Sequence, residues 1–198
     1  LDITAFEALI TNMFSKKGEK VVEMNIAALN EGYRLMNEQL DTVEGDYVLQ
    51  TTDNTPHLYM IGNDAIGLGA LSAGSRFMAA YPITPASEIM EYMIDNLPKV
   101  GGTVVQTEDE IAAANMAIGS NYAGVRAFTA SAGPGLSLMM EAIGLSGMTE
   151  TPLVIMNTQR GGPSTGLPTK QEQSDLMQMI YGTHGDIPKI VVAPTDAE

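Results

Sequence analysis

The chain has 198 residues, 44% of them hydrophobic, with ten Lys+Arg against 24 Asp+Glu and a net charge of −14; that length supports one core, or one core with a small appendage. So acidic a chain, with no basic stripe and no interleaved aromatic platform, is a poor ligand for nucleic acid or an anionic membrane surface, and no apolar run reaches membrane length. The absence of cysteine excludes disulfides and cysteine-ligated iron–sulfur clusters within the chain, and the whole fits a cytoplasmic protein.

Residues 1–40 read as two helices parted at Gly18, with Thr4-Ala5-Phe6-Glu7 as a capping box. Val22, Ile26, Leu29, Tyr33 and Met36 alternate in steps of four and three, which is one apolar helix stripe. Two helices alone cannot bury such stripes, so they are expected to pack on a neighbouring domain or chain. Residues 41–56 are polar and hold Gly45, Asp53, Asn54 and Pro56, so they read as a linker; His57 is expected in solvent beside it. From residue 57 to 198 the pattern alternates. Helices are predicted over 65–75, 85–96, 108–120, 135–146 and 170–181. Strands are predicted over 76–81, 103–106, 126–131, 153–157 and 190–193. Such alternation predicts an α/β fold, a doubly wound and mostly parallel sheet behind a short helical N-terminal segment. The small residues of 112–117 and 130–135 predict close helix–sheet approach. The fourteen Met residues read as flexible core filler. Thr195-Asp196-Ala197-Glu198 would open a further helix, and the chain starts on Leu1, so it is expected to be part of a longer polypeptide.

Three segments carry chemistry, each at the end of a predicted strand, where parallel sheets build their sites. Thr84-Pro85 would cap the next helix, and the same geometry leaves a hydroxyl and free N–H groups for an anionic substrate. Glu108, Asp109 and Glu110 crowd a helix N-terminus. They either complement its dipole, or one of them, Glu110 on an Ala-rich face, is buried and able to exchange a proton near neutral pH. Arg160 stands in a loop of glycines and hydroxyls. It either clamps a carboxylate or forms a surface ion pair. Ser131-Ala132-Gly133-Pro134-Gly135 could hold an anion at a helix start or be a tight turn. Gly67, Gly69 and Ser72 imitate a dinucleotide fingerprint but fall within a predicted helix, so they read as packing residues. Two His and no Cys argue against zinc or a Cys–His nucleophile, and no metal ligand is assigned.

Four strings occur in the order found in one family: Tyr81-Pro82-Ile83-Thr84-Pro85, Glu108-Asp109-Glu110, Thr129-Ala130-Ser131-Ala132-Gly133-Pro134-Gly135 and Gln159-Arg160-Gly161-Gly162-Pro163-Ser164-Thr165-Gly166. The segment from about residue 63 to 198 resembles the α subunit of 2-oxoacid:ferredoxin oxidoreductases, above all the 2-oxoglutarate type. Residues 1–40 look like the end of a γ domain fused ahead of α. The resemblance implies the pyrimidine-side domain of a thiamine-diphosphate enzyme. Glu110 would be the activating glutamate at N1′ of the aminopyrimidine, with Glu108 as second choice and Pro82 as a further cofactor contact. Thr84 and Arg160 would bind the substrate, and Thr165 matches a position tied to dicarboxylic 2-oxoacids. Ala86 departs from the Ser found there in many relatives. No Gly-Asp-Gly…Asn motif is present, so the diphosphate, its Mg2+ and the iron–sulfur cluster are expected on a β subunit. The assembly would turn a 2-oxoacid, coenzyme A and ferredoxin into acyl-CoA, CO2 and reduced ferredoxin. The alternatives are another thiamine-diphosphate enzyme, transketolase- or decarboxylase-like, and a non-catalytic module binding a nucleotide or a protein.

Overall fold

The structure is a computed structural model that describes residues 3–40 and 58–195. The expected linker, His57 and most of the capping box at 195–198 lie outside the described residues. The chain divides into two compact units, Leu1–His57 and Leu58–Glu198.

The first unit is a helical hairpin of α1 (Ile3–Phe14) and α2 (Glu19–Leu40), joined by a short 3-10 turn that ends at Gly18 (φ 99°). Thr4 lies within α1 and does not cap it. Val22, Ile26 and Leu29 are half-buried, whereas Tyr33 and Met36 are exposed. Among the described residues of the hairpin none is fully buried.

The second unit contains α3 (Gly62–Ser72), β1 (Phe77–Ala80), α4 (Ser87–Asn96), β2 (Thr103–Gln106), α5 (Glu110–Tyr122), β3 (Ala127–Ser131), α6 (Gly133–Met148), β4 (Val154–Asn157) and α7 (Leu176–Tyr181). Its four strands form one sheet in the order β2-β1-β3-β4, and every pair is parallel. The chain winds from β1 to β2, then crosses to the other side of β1 for β3 and β4. That reversal is the doubly wound pattern, with its switch point between β1 and β3.

Alternation along the strands feeds two cores. Met78, Ala80, Phe128 and Ala130 face α3 and α4, where they meet Ile89, Met90, Met93 and Leu97. Burying each large side chain there stabilises the fold by about 1.5–3 kcal/mol. The second core joins Ala114 and Ile118 of α5 to Met139 and Ala142 of α6. Ala113, Ala114 and Ala117 are completely buried, and α5 packs on β1 and β3; a methyl-sized surface is what lets the backbones approach. Gly67 serves α3 in the same way, because a Cβ there would overlap the Tyr92 ring; Gly69 and Ser72 also lie in α3 but are exposed, and Gly69 meets nothing within 4 Å, so the packing reading holds for Gly67 alone.

Four expectations need correction. Ile190–Ala193 forms no strand, and Ile190 is 93% exposed. The run lies between Pro188 and Pro194, which lack ladder donors, and α7 before it is six residues long with none buried. The helix predicted from residue 170 starts only at Leu176; residues 171–175 are irregular, and Glu172 and Asp175 there bond to distant residues. The helix predicted from Pro85 starts at Ser87, after a turn over Thr84–Ala86, so Thr84 is not its cap. Met is not only filler: Met78, Met90, Met93 and Met139 are buried, but Met13, Met24, Met36, Met116, Met148 and Met177 are exposed.

Candidate active site

Because all four strands run the same way, the loops after each one leave a common edge of the sheet. Those loops, with the first residue of α5, carry Pro82, Thr84, Glu108, Glu110, Arg160 and Thr165.

The loop after β2 separates the three carboxylates. Thr107, itself buried, donates its N–H to the Ala80 carbonyl (3.0 Å) and its hydroxyl to the Asp109 carbonyl (2.9 Å). Asp109 is extended (φ −161°) and caps α5, its Oδ1 accepting the Ala112 N–H at 2.7 Å. Glu108 and Asp109 are exposed, while Glu110, the first helical residue, is turned inward and only 5% exposed. The cap spares Glu110 from serving the helix end. Among the described residues its carboxylate has no hydrogen bond or ion pair.

The floor under Glu110 comes from β3 and α6. A Cβ on Gly135 would overlap the Ser131 hydroxyl and stand 2.7 Å from Glu110 Oε1. Only glycine lets the three groups share that space. Ser131 and Thr129 are fully buried on one face of β3, and their hydroxyls have no partner among the described residues. An unpaired buried polar group costs about 1–3 kcal/mol, so this corner holds polar atoms that the chain itself does not satisfy.

A second group gathers around Arg160. Its Nη1 donates to the Thr84 carbonyl at 2.9 Å, and its Nη2 donates to the Thr165 carbonyl at 2.5 Å. Thr84 and Thr165 are exposed, and Arg160 and Pro82 are half-buried. No acidic side chain pairs with Arg160 among the described residues. Three of five guanidinium N–H donors, including that of the buried Nε, remain open. The Thr84 turn is also held from its other side: Asn63 Nδ2 donates to the Pro85 carbonyl (2.9 Å) and to Glu88 Oε2 (2.7 Å). The Thr84–Pro85 peptide is cis.

The glycine loop is rigid by construction. The Gly161 and Leu167 backbones form an antiparallel bridge, and the Gly162 N–H donates to Glu172 Oε2 at 2.6 Å. Gly166 has φ 60°, and a Cβ there would overlap the Gly161 carbonyl. Asp175 closes the segment. Only 8% exposed, it accepts from Asn157 Nδ2 at 2.6 Å and from Gln159 Nε2 at 2.5 Å.

Arg160, Thr84 and Thr165 are thus joined by direct bonds, and Glu110 stands with Ser131 and Gly135. No bond links the two groups among the described residues. Sequence reasoning missed Asn63, Thr107, Glu172 and Asp175. Only Thr107, a hydroxyl two residues before an Asp cap, had a local signal.

Residues 68–198 match the family described as pyruvate flavodoxin/ferredoxin oxidoreductase, thiamine diphosphate-binding. The chain belongs to this family. Within it, the chain is 53% identical over 144 residues to the 2-oxoglutarate synthase subunit KorA of Methanothermobacter thermautotrophicus, covering 73% of this chain and 38% of that protein. Identity to 2-oxoacid:ferredoxin oxidoreductase 1, subunit alpha, of Aeropyrum pernix is 38% over 212 residues, covering 99% of this chain and 32% of that one. A solved 2-oxoglutarate:ferredoxin oxidoreductase from Magnetococcus marinus, with 2-oxoglutarate, coenzyme A and succinyl-CoA bound, superposes with a TM-score of 0.91 at 44% identity, covering 99% of this chain and 34% of that one. The chain therefore spans about a third of the length of the oxidoreductase subunits it matches.

Proposed function

We propose that this chain is the pyrimidine-side part of the α subunit of a 2-oxoacid:ferredoxin oxidoreductase acting on 2-oxoglutarate or a similar acid. The observation that carries the reading is Glu110: a carboxylate, 5% exposed, at a sheet edge and without a hydrogen bond or ion pair among the described residues. The aminopyrimidine of thiamine diphosphate fits such a corner, since its ring nitrogen offers the partner that Glu110 lacks and Gly135 leaves room. When bound, the cofactor supplies the electron sink for decarboxylation. Glu110 holds a proton at the ring nitrogen, and Pro82 lines the approach. Glu108 is exposed and takes the lesser role. Arg160, aimed by the two carbonyls, offers its open donors to a substrate carboxylate, and the Thr84 hydroxyl binds beside it. Thr165 faces the far end of a dicarboxylic acid.

The diphosphate, its Mg2+ and the iron–sulfur cluster are assigned to a β subunit in a hetero-oligomer, with coenzyme A as acyl acceptor and ferredoxin as electron acceptor. Residues 1–40 are read as the end of a γ-type domain, followed by the linker 41–56. Among the described residues no helix is long and apolar enough to cross a membrane, and a cytoplasmic site suits a ferredoxin-linked reaction.

The test is viologen reduction by the full-length chain assembled with its β partner. Glu110→Ala is expected to lower turnover by about a hundredfold or more, the usual reach of a positioned acid–base group. Undiminished turnover in a correctly assembled Glu110→Ala enzyme refutes the assignment.

A further inference from the structure

We propose that Asp175 is a positioning residue for 2-oxoacid binding: it holds the end of β4 so that the Arg160 guanidinium points into the site. This rests on the reading of Arg160 as a carboxylate clamp.

Asp175 lies far along the chain from the strand it holds, at the foot of α7. Its carboxylate is 8% exposed and accepts two hydrogen bonds, both from side-chain amides. An ionised carboxylate is acceptor-only, so both amides must present their NH2 groups to it. A buried charge without such bonds would be costly, so the three side chains act as a unit. Their positions give the unit its meaning. Asn157 is the last residue of β4, and Gln159 immediately precedes Arg160. The backbone that aims the guanidinium therefore leaves the strand under two ties to one acid.

Asp175 also stands beside the start of α6, without a hydrogen bond to it. Asp175 Oδ2 lies 3.5 Å from where a Gly133 Cβ would stand, at the first residue of α6. A negative charge is favoured at that helix end. Two residues on, the same helix passes Gly135 beneath Glu110. Gln178 Nε2 adds a bond from α7 to Ser137 Oγ at 2.8 Å. Asp175 thus registers the arm that bears Arg160 against the floor under Glu110. Arg160 needs this support, because its own two bonds run to carbonyls of loops.

The experiment measures KM for 2-oxoglutarate and kcat in viologen reduction, with the full-length chain assembled with its β partner. Gln159→Glu sets two carboxylates against each other; KM should rise about tenfold while kcat changes by less than about twofold, the pattern of lost substrate binding. The reciprocal double variant, Gln159→Glu with Asp175→Asn, restores a carboxylate–amide pair with the roles exchanged. Its KM should return to within about threefold of the parent, a recovery that a generic packing role does not give. An unchanged KM in Gln159→Glu, or a double variant as impaired as the single, overturns the proposal. If Gln159→Glu does not assemble, Asp175→Asn carries the test alone: its KM should rise with kcat retained, and an unchanged KM overturns the role. Arg160→Ala runs in parallel. A raised KM there beside an unchanged one in Gln159→Glu defeats Asp175 alone; an unchanged KM in Arg160→Ala defeats the clamp itself.

Discussion

Three successive acids after β2 have three fates, and the physics of one cap decides them. Asp109 takes the Ala112 N–H, Glu108 stays in solvent, and Glu110 goes under α5. Removing the cap by Asp109→Ala should destabilise the fold by about 1 kcal/mol, whereas Glu108→Ala should stay within about 0.5 kcal/mol. Urea denaturation of both variants checks the order; equal losses would mean that the cap does not carry α5. Gly135→Ala is the harsher change. Its methyl would overlap the Ser131 hydroxyl and crowd Glu110 Oε1, and overpacking of that kind costs about 1–3 kcal/mol. A fall in Tm together with weakened thiamine diphosphate binding by the assembled enzyme is the expected result. The residue types of this corner were legible from the sequence: an Ala-rich helix after an acidic cluster, and glycines after a strand. The Ala-rich face beside Glu110 marks it for burial, and the structure buries it while Glu108 and Asp109 are exposed; its activating role is what the resemblance implies.

At the scale of elements, the short strands were readable because their apolar runs have no other use. Residues 103–106 form a strand with the predicted bounds. The segments that misled are those whose conformation comes from distant partners. The Thr84 turn is held by Asn63 and Arg160, and the residues before α7 by Asp175 and Glu172. Bonds between residues so far apart leave no local pattern. Asp175 in particular is one acid in a polar stretch and looks like any surface residue. The glycine loop is different, since its glycines announce themselves. Gly166→Ala forces a side chain into the left-handed region and onto the Gly161 carbonyl. It should raise KM for the 2-oxoacid and leave global Tm within a few degrees, because the loop lies outside both cores. The packing of α5 tests the opposite case. Ala113→Leu puts three extra heavy atoms into a fully buried contact and should cost about 1–3 kcal/mol. A volume-conserving change to the same residue at exposed Met116, Met116→Leu, should cost under about 0.5 kcal/mol. Thermal unfolding of the pair separates close packing from mere helix content.

For the whole molecule, the proposal that the site is shared can be put to a binding test. On that reading Glu110 serves one end of thiamine diphosphate; the other end is an anion, and these 198 residues carry a net charge of −14 with only ten Lys+Arg. A single charge-assisted hydrogen bond to Glu110, worth about 1.5–3 kcal/mol, is too weak to hold such a ligand by itself. The full-length chain titrated alone with thiamine diphosphate and Mg2+ should therefore give no saturable heat at ligand concentrations up to about 1 mM, where binding energy is only about 4 kcal/mol. Adding the β partner should bring on tight binding that Glu110→Ala weakens by less than the loss of the partner does. Micromolar binding by the lone chain would place the diphosphate and its metal within this subunit, and with them the burden now assigned to the interface.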